Sequence, residues 1–143
     1  MMSASRRMSG AVTGTSKTDL AGSPASGTQQ DTLVTAARMA SREMRLRARL
    51  APGIDEARWM ILLDIYLAMD EGRETPFMSA AHASNVAVST AQRYVHEMIT
   101  DGLIVQHKSG ADQRVSHVAL SATGIALVTQ ILEAVIALQA RHV

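Results

Sequence analysis

The chain has 143 residues, 47% of them apolar but only 3% aromatic, and a formal net charge of +1. That length holds one domain with an aliphatic, methionine-rich core and excludes two independent ones; so few aromatics favour helices over sheets. With no cysteine, a disulfide framework and thiolate metal or redox centres are excluded, in agreement with a reducing cytosol.

The charge is unevenly spread. Residues 1–30 carry +2 and residues 31–53 carry +3 through Arg38, Arg42, Arg45, Arg47 and Arg49. Residues 54–124 hold five basic side chains against nine acids, a net of −4. An acidic centre counts against a partner made of phosphates, whose affinity comes largely from neutralising cations.

Residues 1–30 are rich in Ser, Thr, Gly and Ala and bury too little to offset their ordering entropy, so a disordered tail is expected. Arg6 and Arg7 precede a Gly/Ser/Thr run instead of the apolar stretch of a signal peptide. From Asp31, apolar Leu33, Ala36, Ala37, Ala40 and Met44 recur at helical spacing, mostly opposite the arginines. Asp31 or Thr32 is the expected cap, and Pro52-Gly53 the stop. A second helix is expected over 55–71, capped by Asp55 and stopped by Gly72. Its apolar residues cover most of its circumference, which marks a central core helix.

Thr75-Pro76-Phe77-Met78 reads as a short extended piece, since Pro76 biases Thr75 away from helix. Ser79 is expected to cap a short helix over 80–84. Asn85-Val86-Ala87 is a tight turn, with Asn85 suited to the left-handed conformation. Another helix follows over 88–101, stopped by Gly102, with Ala91, Val95, Met98 and Ile99 inward and Ser89, Gln92, Arg93 and His96 outward. After Gly102 the hydrophobic period changes to two. Residues 103–107 and 115–120 read as strands of a hairpin joined by a polar loop over 108–114. Ser121 caps a final apolar helix over 122–139. Its most apolar stretch, 125–138, reads as too short to span a bilayer comfortably and as buried against protein.

Helix, short strand, short helix, turn, helix, hairpin, helix is the order of a winged helix-turn-helix domain: mainly α with a small β-hairpin wing. The residues extend the likeness. Thr90-Ala91-Gln92-Arg93-Tyr94-Val95 followed by Asp101-Gly102-Leu103-Ile104 resembles the recognition helix and first wing strand of the multiple-antibiotic-resistance regulator (MarR) family. Asp112-Gln113-Arg114, then Leu120-Ser121 and Gly124, resembles that family's wing signature. The resemblance implies a homodimer with N- and C-terminal dimerisation helices at 31–53 and 121–143. Between them, 54–120 would be the DNA-binding domain. It also implies a cytoplasmic transcriptional regulator, a repressor by the usual family mode, on a pseudo-palindromic site in double-stranded DNA. In many relatives a small-molecule effector entering a cleft releases the DNA.

On this reading Ser89, Gln92 and Arg93 meet base edges in the major groove, Gln92 suiting adenine and Arg93 guanine or phosphate. A solvated helix face accounts equally well for Ser89 or Gln92 alone. Ser79 and Thr90 stand at helix starts, where they either hold phosphate or simply cap. Arg114 at the hairpin tip suits a narrow minor groove, braced by Asp112, with Lys108 on phosphate; an exposed hairpin with a weak ion pair is the bland reading. The arginines at 38–49 read as the solvated side of a dimer helix more readily than as DNA contacts.

No catalytic motif, cofactor signature or metal-ligand spacing appears, so no enzyme, cofactor or metal is expected. His107 and His117 fall on opposite wing strands but are not expected directly across from one another. The alternative function is a winged-helix protein–protein interaction module with weak or no DNA binding, which the −4 segment favours. A dimerisation subunit without promoter association is a third reading.

Overall fold

The computed structural model describes residues 24–108 and 114–142, so the tail expected over 1–30 lies outside the described residues up to position 23. The chain divides between Arg42 and Glu43 into two compact units. In the first, the described residues are helical and belong to α1 (Pro24–Leu50). This helix begins well before the expected Asp31. Proline's fixed φ suits a first helical turn, and Thr32 donates from Oγ1 to the Thr28 carbonyl at 3.0 Å, a bond inside the helix and not a cap. Within this unit Leu33 and Val34 are exposed.

The second unit holds the core. Asp55 caps α2 (Glu56–Asp70) as expected, its Oδ1 accepting from the Arg58 backbone N–H at 2.9 Å. Trp59, Ile61, Leu62, Ile65 and Ala68 are buried. Leu67 and Met69 stay exposed, so the helix turns one side into the interior although apolar residues cover most of its circumference. At its end the Gly72 and Arg73 N–H groups donate to the Met69 and Ala68 carbonyls, with Gly72 at φ +72°. That is a Schellman stop.

β1 (Thr75–Pro76) leads directly into α3 (Phe77–Ala81), one turn of helix that starts earlier than the sequence implies. Ser79 therefore lies inside α3, not at its cap; Pro76, at φ −60° and ψ 146°, occupies that position without a side-chain bond. Residues 82–87 then turn into α4 (Val88–Thr100). Asn85 is not left-handed: among the described residues only Gly72 and Gly102 have positive φ. The reversal is spread over six residues instead of three, so no side chain need take that conformation.

β2 (Ile104–Lys108) and β3 (Ser116–Leu120) form the wing hairpin, and β1 joins it to give an antiparallel sheet of order β1-β3-β2. Ile104, Val118 and Leu120 face the core. The short extended piece at Thr75 is thus a third strand, pairing Thr75 with Val118 and Pro76 with His117. Pro76, which has no N–H to donate, lies on an edge strand where proline is tolerated.

α5 (Ala122–His142) sends Val128 and Ile131 into the core and leaves Ile125 and Ile136 exposed. It runs farther than its apolar centre implied. Ala122–Arg141, with a mean hydropathy of 1.6, is long and apolar enough to cross a membrane by length and composition. This corrects the expectation that it is too short. Packing of Val128 and Ile131 with Ile61, Leu62 and Ile65 shows it also serves as a core helix.

Candidate nucleic-acid interface

The amphipathic pattern of α4 determines what it presents. Ala91, Val95 and Met98 recur at i, i+4 and i+7 and are buried, which leaves Ser89, Arg93, His96 and Thr100 exposed along the opposite side. Thr90 and Gln92 are half-buried on the flanks, and Gln92 Nε2 donates to Met78 Sδ at 3.0 Å, joining α4 to α3. Ala87, the N-cap of α4, provides no side-chain acceptor. The first-turn N–H groups, which have no acceptor within a helix, are therefore not covered by a cap. Ser79 is exposed on α3.

Arg93 belongs to an ionic ladder that reaches α2. Its Nη1 is 3.3 Å from Glu97 Oε2, while Arg58 Nη2 donates to Glu97 Oε1 at 2.5 Å. Arg58 Nη1 also donates to Asp55 Oδ2 at 2.8 Å. Both guanidiniums lie against Tyr94, with Arg58 at 3.8 Å and Arg93 at 5.2 Å from the ring centroid. The hydrogen bond from Arg58 holds the Glu97 carboxyl below its ordinary value of 4.5. For Arg58 itself burial opposes the charge, but Glu97 and Asp55 outweigh it and the pKa rises.

In the wing, Lys108 ends β2 opposite Ser116 and is exposed. Arg114 is exposed just before β3; Asp112 lies outside the described residues. Arg114 shares an open groove of about 420 Å³ with Phe77 and Met78 of α3, His96 of α4 and Gln106 of β2. The groove therefore brings together the wing base, α3 and the exposed side of α4.

Two features escaped sequence reasoning. The i, i+4 spacing of Arg93 and Glu97 was visible, but Arg58, 39 residues before Glu97, carries no local signal. Second, His107 and His117 are direct cross-strand partners, contrary to expectation. A hairpin placed symmetrically about the polar loop 108–114 would pair His107 with residue 115, so the observed pairing with His117 was not legible from the loop. As they stand, no three His, Asp or Glu side chains among the described residues are grouped to hold a metal.

No protein-family model and no curated protein sequence matches the chain. Solved structures do. A MepR variant from S. aureus bound to an oligodeoxyribonucleotide superposes with a TM-score of 0.67 at 16% identity, over 79% of each chain. AbsC, a MarR family transcriptional regulator from Streptomyces coelicolor, gives 0.56 at 16% identity, over 80% of this chain and 75% of its own. A MarR variant from E. coli complexed with operator DNA gives 0.54 at 19% identity, over 75% of this chain and 76% of its own.

The chain has the MarR-family fold. At such identities the likeness carries the architecture and not the residues that would read a base. The MarR-type winged helix here depends on a junction that explains part of the sequence signature. Ser121 Oγ donates to the Gly102 carbonyl and accepts from the Gly124 N–H at 3.0 Å, while the Ser121 N–H donates to the Leu103 carbonyl at 3.0 Å. A Cβ on Gly124 would collide with that same carbonyl oxygen. Serine and glycine at this spacing thus pin the start of α5 to the chain entering the wing.

Proposed function

We propose that this protein is a DNA-binding transcriptional regulator acting as a homodimer on a pseudo-palindromic promoter site. The observation that carries the reading is the groove shared by Arg114, α3 and His96 on the exposed side of α4. It joins the exposed side of the helix to the base of the wing in one groove, on a fold also found in structures solved with DNA bound. α4 enters the major groove, with Ser89, Gln92 and Arg93 toward base edges. Thr90 and the uncapped first turn of α4 approach phosphate, joined by the Ser79 hydroxyl. Arg114 lies in the minor groove, braced by Asp112, and Lys108 meets phosphate.

Exposed Leu33, Val34 and Met44 on α1 and Ile125 and Ile136 on α5 support a second copy as partner, because apolar area of this kind is characteristic of association surfaces. Repression by occluding a promoter, release by a small-molecule effector and a cytoplasmic location follow from the same reading.

The interaction-module alternative has a specific observation behind it: Arg93 is already held by Glu97, inside a segment of net charge −4. Fluorescence-anisotropy titration of the gene's upstream DNA at several salt concentrations separates the two. Regulation requires tight, steeply salt-dependent binding that Arg114→Ala weakens. Failure to bind that fragment and random duplex alike, even at low salt, would establish the interaction module instead.

A further inference from the structure

A carboxylate one turn along α4 already holds Arg93. The guanidinium Nη1 stands 3.3 Å from Glu97 Oε2, and a full negative charge there would compete with phosphate for Arg93 and repel the phosphate as well. The outcome depends on how much of the Glu97 charge is left for Arg93 to meet. Another element determines that: Arg58 of α2 shares both Glu97 and Tyr94 with Arg93.

The two guanidiniums are held unequally. The Arg58 side chain is 19% exposed and fixed from three directions: Nη2 on Glu97 Oε1 at 2.5 Å, Nη1 on Asp55 Oδ2 at 2.8 Å, and its guanidinium carbon 3.8 Å from the Tyr94 ring centroid. Asp55 is itself anchored, because its other oxygen caps α2 by accepting from the Arg58 backbone N–H. Arg93 is 60% exposed, its contact with Glu97 is long, and it stands 5.2 Å from the same ring. A short charge-assisted bond near the protein surface outweighs a long, solvated one. The carboxyl responds accordingly, since Arg58 is the main cause that holds its pKa down and Arg93 a smaller one.

We propose that Arg58 is a positioning residue for DNA binding: as the standing counterion of Glu97, it leaves Arg93 available to phosphate or a base edge. This inference rests on the DNA-binding reading. When Arg93 turns to the duplex, Glu97 keeps its hydrogen bond to Arg58 and no carboxylate is stranded without a partner. Without Arg58, Glu97 keeps Arg93 and presents an uncompensated charge beside the DNA.

A cation can also favour DNA through the field of the whole protein, so the test asks whether Arg58 acts through Arg93. Anisotropy titrations with the gene's upstream duplex at low salt compare wild type, Arg58→Gln, Arg93→Ala and the double variant of the full chain. Arg58→Gln should weaken binding at least about threefold and reduce the salt slope as Arg93→Ala does. Arg93→Ala should then cost less than about twofold in the Arg58→Gln background. Adding Glu97→Gln to Arg58→Gln should restore affinity, and adding Glu71→Gln, which removes an equal charge elsewhere, should not. Thermal melts establish that each variant folds; should Arg58→Gln fail, Arg58→Met keeps an apolar stem against Tyr94 and takes its place. If wild type binds and Arg58→Gln binds equally well, the inference fails and the DNA-binding reading stands. Equal costs of Arg93→Ala in both backgrounds, or equal rescue by Glu71→Gln, refute it in the same way. Wild type that binds neither this duplex nor a random one overturns the DNA-binding reading and this inference together.

Discussion

Glu97 touches both guanidiniums that flank Tyr94, so a single carboxylate governs how Arg93 is held on α4. The hydrogen bond from Arg58 depresses its pKa below 4.5, and a depressed carboxyl has a fixed sign in the stability balance. Its contribution is fully present above the unfolded value near 4.5 and disappears as pH falls through the lower folded value. Thermal melts of wild type and Glu97→Gln should therefore differ most at neutral pH and converge as the buffer is taken well below pH 4.5. A gap that stays constant with pH would mean that the side chain acts by packing alone. What sequence could reveal at this scale depended on distance along the chain. Arg93 and Gln92 were legible because they fall outside the helical apolar stripe of Ala91, Val95 and Met98. Arg58 was not, because its partner is supplied only when α2 and α4 pack.

Elements were legible where one periodicity ran long enough. α2, α4 and the hairpin follow from the change of period at Gly102, and both Schellman glycines are visible as stops. The start of α1 and the one-turn α3 were misplaced for a common reason: proline sets the local geometry at each, and serine or threonine nearby imitates a cap. Two glycines separate two kinds of constraint. Gly102 has open space around its missing Cβ but a φ of +82°, whereas Gly124 has ordinary backbone and a carbonyl in the way. Gly102→Ala should cost about 1–2 kcal/mol, and Gly102→Asn less, because asparagine tolerates the left-handed region. Gly124→Ala should cost about 1–3 kcal/mol, since the Leu103 carbonyl must shift to admit the methyl group, and Gly124→Asn should cost more. Denaturant melts of the four variants check the ordering. If asparagine is the gentler substitution at both sites, the collision at Gly124 is not the operative constraint.

The whole molecule must reconcile an acidic middle with a polyanionic partner. Several acids of residues 54–124 are already engaged: Asp55 and Glu97 by Arg58, Glu56 by Arg47, and Glu71 by Arg73. The cations placed to meet phosphate are few, and dimerisation is the way to make them sufficient. If Arg93, Lys108 and Arg114 of both copies each neutralise one phosphate, the logarithmic slope of affinity against salt should approach about −5. Arg114→Ala removes one contact per protomer and should bring that slope up by about 2. Ile136→Glu places a charge on the most exposed isoleucine of α5 and, by separating the copies, should reduce the slope to about half. Sedimentation on the same samples reports whether the copies have separated. A full slope retained by a monomeric Ile136→Glu protein would show that one chain carries all the phosphate contacts. A slope near zero in the wild type would mean that the acidic centre prevails and that the winged helix meets another protein.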